Sequence, residues 1–235
     1  MTVGTGDPVP VEASTVTHFR VLCITDDGTR AGLDAVMSPF DAELLVEPYV
    51  TESGELTRYN PLGEWDYWVP GGRWANDLLL MDGARVSAAR RCDVDVERMR
   101  RDAYDNAIAH WNRMDEACSH LPRALTLREL EQVNPDLDAA GLALRGQLRW
   151  AALQGWGNLE EYQNFTGEQY GRYRADWAVP GLATCSAEGW MSAAPSYWLG
   201  SDPYDSVARE YLATVNRLVD QLPDHQWLTI VDCHQ

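Results

Sequence analysis

The chain has 235 residues and a formal charge of −17, from 36 acids against 19 bases, and every one of those bases is arginine. Such an acid excess lacks the basic footprint that bulk nucleic acid demands, and anionic membrane surfaces repel it. Without lysine there is no Schiff-base nucleophile, no pyridoxal-phosphate anchor and no Walker-type phosphate lysine, so those chemistries are excluded and no cofactor is expected.

An apolar share of 45% with ten Trp suits a packed core. The five cysteines (23, 92, 118, 185, 233) are scattered and form no C-x-x-C pair. That pattern predicts reduced thiols in a cytosol. Residues 1–15 have neither a basic nor an apolar signal region, and no apolar run reaches bilayer length, so a cytoplasmic chain is expected.

Along the chain, residues 1–15 read as a disordered tail and 16–235 as a single domain. His18–Thr25 alternates like a strand and ends at the turn Asp26-Asp27-Gly28. Leu33–Met37 reads as a short helix, and Glu43–Val50 as a strand that Pro48 either places at an edge or bends. Tyr59–Trp74 reads as a loop, broken by Pro61, Gly63, Pro70, Gly71 and Gly72. Asp82-Gly83 predicts a hairpin turn between Leu78–Met81 and Ala84–Ala88.

From about 94 the period becomes helical: Met99, Ala103, Ala107, Trp111, Met114 and Cys118 recur at three- and four-residue steps. Thr126 and Glu129 form a capping box, and Asn134-Pro135 opens a helix predicted to run to Gly155. Asp202-Pro203 starts the last helix, whose predicted buried stripe is Val207, Leu212, Val215, Leu218, Val219 and Leu222. Trp227–Cys233 is the final strand. The predicted fold is α+β: a mixed or antiparallel sheet with its first and last strands adjacent, plus a helical layer over about 94–175 as a possible insertion.

Three constellations are candidates for function. The first is Tyr59, Asn60, Trp65, Asp66, Tyr67, Trp68, Gly71, Gly72, Arg73 and Trp74. Rings on a glycine-broken loop suit a stacking pocket, with Arg73 as anion partner and the glycine N–H groups in support. The competing reading is a plug of Trp in the core, with Asp66 paired to Arg73.

The second is the final strand, where alternation puts Leu228, Ile230, Asp232 and His234 on one side. If the terminal strands pair, His18 joins Asp232 and His234. That set suits acid–base work or a metal, against the plainer reading of a solvated chain end, and two ligands at i and i+2 fall short of a metal motif. The third is the Arg-rich stretch Arg85, Arg90, Arg91, Arg98, Arg100 and Arg101, either an anion-attracting patch or a solvated helix face. Trp190 and Trp198, on Gly-spaced aromatic segments, are candidates for a second pocket wall. Cys185 or Cys118 paired with a His is a weaker nucleophile candidate. No catalytic residue and no metal ligand is assigned.

The opening Thr17-His18-Phe19-x-Val21, the core Tyr59-Asn60-Pro61-x-x-x-Trp65-Asp66-Tyr67-Trp68-x-x-Gly71-Gly72-Arg73-Trp74 and the ending Val231-Asp232-Cys233-His234 together resemble a family of phage and prophage proteins. In that family the core reads YNPxxxWDWYxxGGRW and the chain ends V-D-x-H. This chain departs at Tyr67-Trp68, where the family has Trp-Tyr. The resemblance runs from about residue 17 to the C-terminus and is weakest between roughly 120 and 160.

The family carries no assigned reaction, so the resemblance implies a mobile-element origin. By analogy with small phage accessory proteins it implies anti-defence, by sequestering a nucleotide immune signal. The expected partner is a small planar anionic, nucleotide-like ligand. A protein-binding inhibitor or acidic DNA mimic of a host factor, a metal-dependent hydrolase using the C-terminal Asp and His, and a homo-oligomer stay open.

Overall fold

The first strand finds its partner at the far end of the sequence. A computed structural model describes residues 18–133, 136–153, 159–193 and 206–234; the tail, Asn134-Pro135, Asp202-Pro203 and Trp198 lie outside them. Strand β1 (His18–Thr25) leads through the Thr29-capped helix α1 (Arg30–Met37) to β2 (Leu45–Val50) and β3 (Leu56–Tyr59). Then come β4 (Tyr67–Pro70), β5 (Leu78–Leu79), β6 (Arg85–Val86) and β7 (Ala88–Arg90).

Helix α2 (Val96–Cys118) opens the helical layer, with Asp95 accepting from the Arg98 N–H as its cap. The layer continues with α3 (Leu127–Val133), α4 (Leu137–Arg145), α5 (Leu148–Ala152), α6 (Leu159–Asn164) and α7 (Gly167–Asp176). The chain then returns to the sheet through β8 (Ala183–Ser186) and β9 (Gly189–Ser192), helix α8 (Ser206–Gln221) and β10 (Trp227–His234).

The main sheet has the order β4-β10-β1-β8-β9, with β7 sharing β10's outer edge with β4. It is mixed: β1 runs antiparallel to β10 and parallel to β8. The fold is therefore α+β with the first and last strands adjacent, and the described elements between Val96 and Asp176 are helices. The Asp82-Gly83 hairpin forms, with Gly83 at φ 90°. So does the capping box: Thr126 N–H donates to Glu129 and Glu129 N–H to Thr126 Oγ1. The helix expected to run unbroken to Gly155 is interrupted at Gly146, which splits it into α4 and α5. Two strands arise inside or beside the stretch expected as loop: β3 pairs with β2, and β4 pairs with the edge of β10.

Alternation along β1 and β10 sorts their side chains into two cores. Leu22, Ile24, Leu228 and Ile230 pack with Val96, Met99, Leu212 and Val215 from α2 and α8. Phe19, Val21, Cys23, Val231 and Cys233 pack on the other face with Leu33, Met37, Trp65 and Trp68. On α8 the buried stripe is Ala208, Tyr211, Leu212, Val215 and Val219, whereas Val207, expected inside, is half exposed. Counting back from Val215 in helical steps reaches Ala208, one position past Val207. A third core joins α2 to the short helices through Met114, Cys118, Leu153 and Tyr162.

Trp65 is 6% exposed and donates from Nε1 to Met37 O at 3.3 Å. Trp65→Ala is expected to cost about 3–5 kcal/mol of unfolding free energy, measured by urea denaturation. Tyr162 donates to Asp115 at 2.9 Å. Burial first, and then the Asp115 carboxylate, push its phenol up to about 12. The folded state thus keeps a proton that the unfolded chain loses near pH 10, so stability falls as pH rises from about 10 to 12. Tyr162→Phe is expected to flatten that fall, read as unfolding midpoints across the same range.

Candidate functional site

The double glycine is built around an internal carboxylate. Gly71 takes φ 75°, which lets the chain leave the edge of β10, and its N–H donates to Ile230 O at 2.7 Å. At Gly72 a Cβ would stand 2.4 Å from the Asp232 side chain. The next N–H, that of Arg73, donates to Asp232 Oδ2 at 3.0 Å. The anion held by this turn is therefore the protein's own Asp232, 5% exposed. Arg73 does not pair with Asp66 among the contacts of this turn; its side chain is exposed.

The other oxygen of Asp232 meets His18 Nδ1 at 2.9 Å. In the register of β1 and β10, His18 lies opposite His234. The two imidazoles meet edge to face, with centroids 5.1 Å apart. His234 Nδ1 in turn lies 2.6 Å from Asp66 Oδ1, and the Asp66 N–H donates to His234 O at 3.0 Å. Two Asp–His pairs thus share one corner of the sheet, and the second depends on Asp66 entering β4 beside β10. A carboxylate only accepts, so each Nδ1 is the donor and each Nε2 is the ring nitrogen left for other chemistry. Among the described residues, no group of three or more His, Cys, Asp or Glu side chains is placed to hold a metal ion.

His18 is also a wall of a cavity of about 1060 Å³ between the sheet and the helical layer, at the upper end of the roughly 300–1,000 Å³ of small-molecule sites. The sheet side contributes His18, Phe19 and Arg20, and the turn after Gly72 contributes Trp74. Helix α2 contributes Asn106, His110 and Arg113, and α7 contributes Tyr170, Tyr173 and Arg174, followed by Trp177. The two helices lie close because Gly171 sits against Tyr104, where a Cβ would be 2.7 Å from the ring.

Three arginines and two histidines line this cavity, and among the described residues no Asp or Glu does. Arg20 is engaged internally: Nε lies 2.9 Å from Asp77 Oδ2, and a second nitrogen donates to Pro180 O at 2.5 Å. Burial lowers its pKa, with Asp77 opposing. Behind the wall, burial raises the Glu161 carboxyl while Arg174 pulls it down. Burial likewise raises the Tyr170 phenol.

The expected residues separate into three groups. Trp65 and Trp68 seal the second core, at 6% and 7% exposed, with the Arg30 guanidinium 3.8 Å over the Trp68 ring. Trp68 and the odd positions of β10, Val231 and Cys233, share the core that α1 closes through Leu33 and Met37. Tyr59 and Tyr67 are exposed. Asn60 clamps the chain, donating to Pro39 O and Asp41 O at 2.8 and 2.9 Å. Asp66, His18, Asp232 and His234 come together, and Trp74 reaches the cavity.

Trp190 lies against Phe19 and Phe40 on the second-core side; Trp198 is outside the described residues. Burial raises the Cys118 thiol, the opposite of nucleophile activation. The Arg-rich stretch is not a patch facing this cavity. Arg91 donates to Val219 O, Arg98 lies 3.7 Å from Asp102, and Arg100 pairs with Asp220 at 2.7 Å. Sequence reasoning missed His110, Arg113, Tyr170, Tyr173, Arg174 and Trp177. The only signal was their three- and four-residue spacing on two helices, which reads equally well as core.

No family model matches this sequence, and neither a curated protein nor a solved structure matches it.

Gly72→Ala would push a methyl into the Asp232 carboxylate from a left-handed backbone position. The variant is expected to lose about 1–3 kcal/mol of stability by chemical denaturation and to shift the imidazole resonances of His18 in an NMR spectrum. Unmoved His18 resonances would show that the turn does not position this pair.

Proposed function

We propose that this protein binds a small planar anionic molecule of the nucleotide class in the cavity between β1 and the α2–α7 pair. The observation that carries the reading is the sign of the wall. In a chain of −17, the cavity lining holds the guanidinium groups of Arg20, Arg113 and Arg174 and, among the described residues, no carboxylate. Low-dielectric walls of one sign concentrate the field and draw in ions of the opposite charge. Guanidinium groups match phosphate and carboxylate oxygens with paired N–H donors. In this reading the half-buried rings of Trp74, Tyr173 and Trp177 meet the flat ring, while Tyr170 is buried against His110 and Phe165 behind them; each stacked base is worth about 1–3 kcal/mol.

Arg20 pairs with Asp77, and this reading takes Arg113 on α2 and Arg174 on α7 as the anion partners. Sequestration of a nucleotide immune signal is the biological role that the resemblance to phage proteins adds. It rests on that resemblance alone. The arginine-bearing wall favours a small ligand over mimicry of DNA, which calls for rows of outward carboxylates.

Titration calorimetry and thermal shift against mononucleotides, cyclic dinucleotides and ADP-ribose isomers test the reading. At least one member is expected to raise the melting temperature. Arg113→Ala and Arg174→Ala are each expected to weaken that binding about tenfold or more, the loss of one charge-assisted contact. Affinity unchanged in both variants, or no binding across the set, would count against the cavity as the site.

A further inference from the structure

We propose that His18 and Asp232 form a general-base pair that hydrolyses a phosphodiester held in this cavity, a step that rests on the anion-binding reading above. His18 stands where a base would be needed. It is a wall of the cavity that carries Arg113 and Arg174, and its side chain keeps 25% of its exposure. Asp232 is almost wholly buried, and both of its oxygens are committed, one to His18 Nδ1 and one to the Arg73 N–H. An acceptor fixed in that way holds the proton on Nδ1 and leaves the Nε2 lone pair as the base. The His234 ring, itself held by Asp66, lies edge-on at 5.1 Å and restricts how far the His18 ring can swing. Orientation by a buried carboxylate and by a neighbouring ring is what separates a poised imidazole from a solvated one.

In the step itself, His18 Nε2 takes a proton from a water molecule as the water oxygen forms a new bond to phosphorus. The bond from phosphorus to the leaving oxygen breaks, its electron pair stays on that oxygen, and the imidazolium returns the proton there. The products are a phosphomonoester and an alcohol, with no redox change and no further reactant. Arg113 and Arg174 neutralise the charge that gathers on the non-bridging oxygens. Asp232 is the positioning residue in this scheme.

Bis(p-nitrophenyl) phosphate, a flat anionic diester, tests this with the full chain in excess EDTA. Wild-type protein is expected to release p-nitrophenolate above the buffer rate. His18→Gln is expected to lower kcat about 100-fold or more while calorimetric affinity for the probe stays within about twofold. Asp232→Asn places an amide donor opposite Nδ1 and favours the wrong tautomer. It is expected to lower kcat with KM little changed, a split that simple loss of structure would not produce. Circular dichroism of both variants checks that they fold, and either folded variant is sufficient for the test. Probe that binds to wild type but is not cleaved overturns the catalytic proposal and leaves the binding reading standing. Probe that neither binds nor is cleaved overturns the catalytic proposal, and the nucleotide set above then decides the binding reading by itself. Turnover abolished by EDTA, or unchanged in folded His18→Gln, overturns the general-base role.

Discussion

Antiparallel hydrogen bonding between β1 and β10 joins residues such as His18 and Asp232 that are 214 positions apart in the chain. Its register, His18 opposite His234 through Thr25 opposite Trp227, decides almost everything else. A slip of one residue would turn every side chain of one strand to the opposite face, exchanging the two cores and scattering the Asp–His pairs. The register is held because both faces are buried: Leu22 and Ile230 are fully enclosed on one side, Val21 and Val231 on the other. Hydrophobic burial on two faces thus specifies the position of four polar groups at the strands' end.

Those polar groups sit where the apolar rows run out. Along the even positions of β10, Leu228 and Ile230 face α2 and α8, and Asp232 and His234 follow. At the His18 end of β1 the cavity lies between the strand and the α2–α7 pair. The Gly71-Gly72 turn closes over Asp232 and delivers the Arg73 N–H, so a buried carboxylate that would otherwise be costly is satisfied by two donors. The same turn projects Trp74 to the cavity wall. One short segment therefore stabilises the acid and shapes the opening.

Electrostatics separates the outside of this molecule from its hollow. Carboxylates dominate the chain, but the cavity wall carries guanidinium and imidazole groups from three elements distant in sequence: β1, α2 and α7. Arg20 shows the cost of bringing such groups inside, since burial lowers its pKa even with Asp77 at 2.9 Å. Arg113 and Arg174 face a space large enough for a ligand to supply further negative charge.

Local signals carried much of the architecture. The alternation of His18–Thr25 and Trp227–His234, the Asp82-Gly83 turn, the Thr126–Glu129 box and the long period of α2 each depend on residues within a few positions of one another, so the sequence alone shows them. Alternation even sorted Asp232 and His234 from Val231 and Cys233 correctly. What it could not show was which face of the sheet a tryptophan would meet: Trp65 and Trp68 became core because β4 docks on β10 in one register, and Trp74 became cavity wall because the chain turns at Gly71. Nor could it show that Arg113 and Arg174 share a hollow with His18. That convergence comes from the packing of α2 against α7 and both against the sheet, and contacts between distant segments leave no local pattern for a single sequence to reveal.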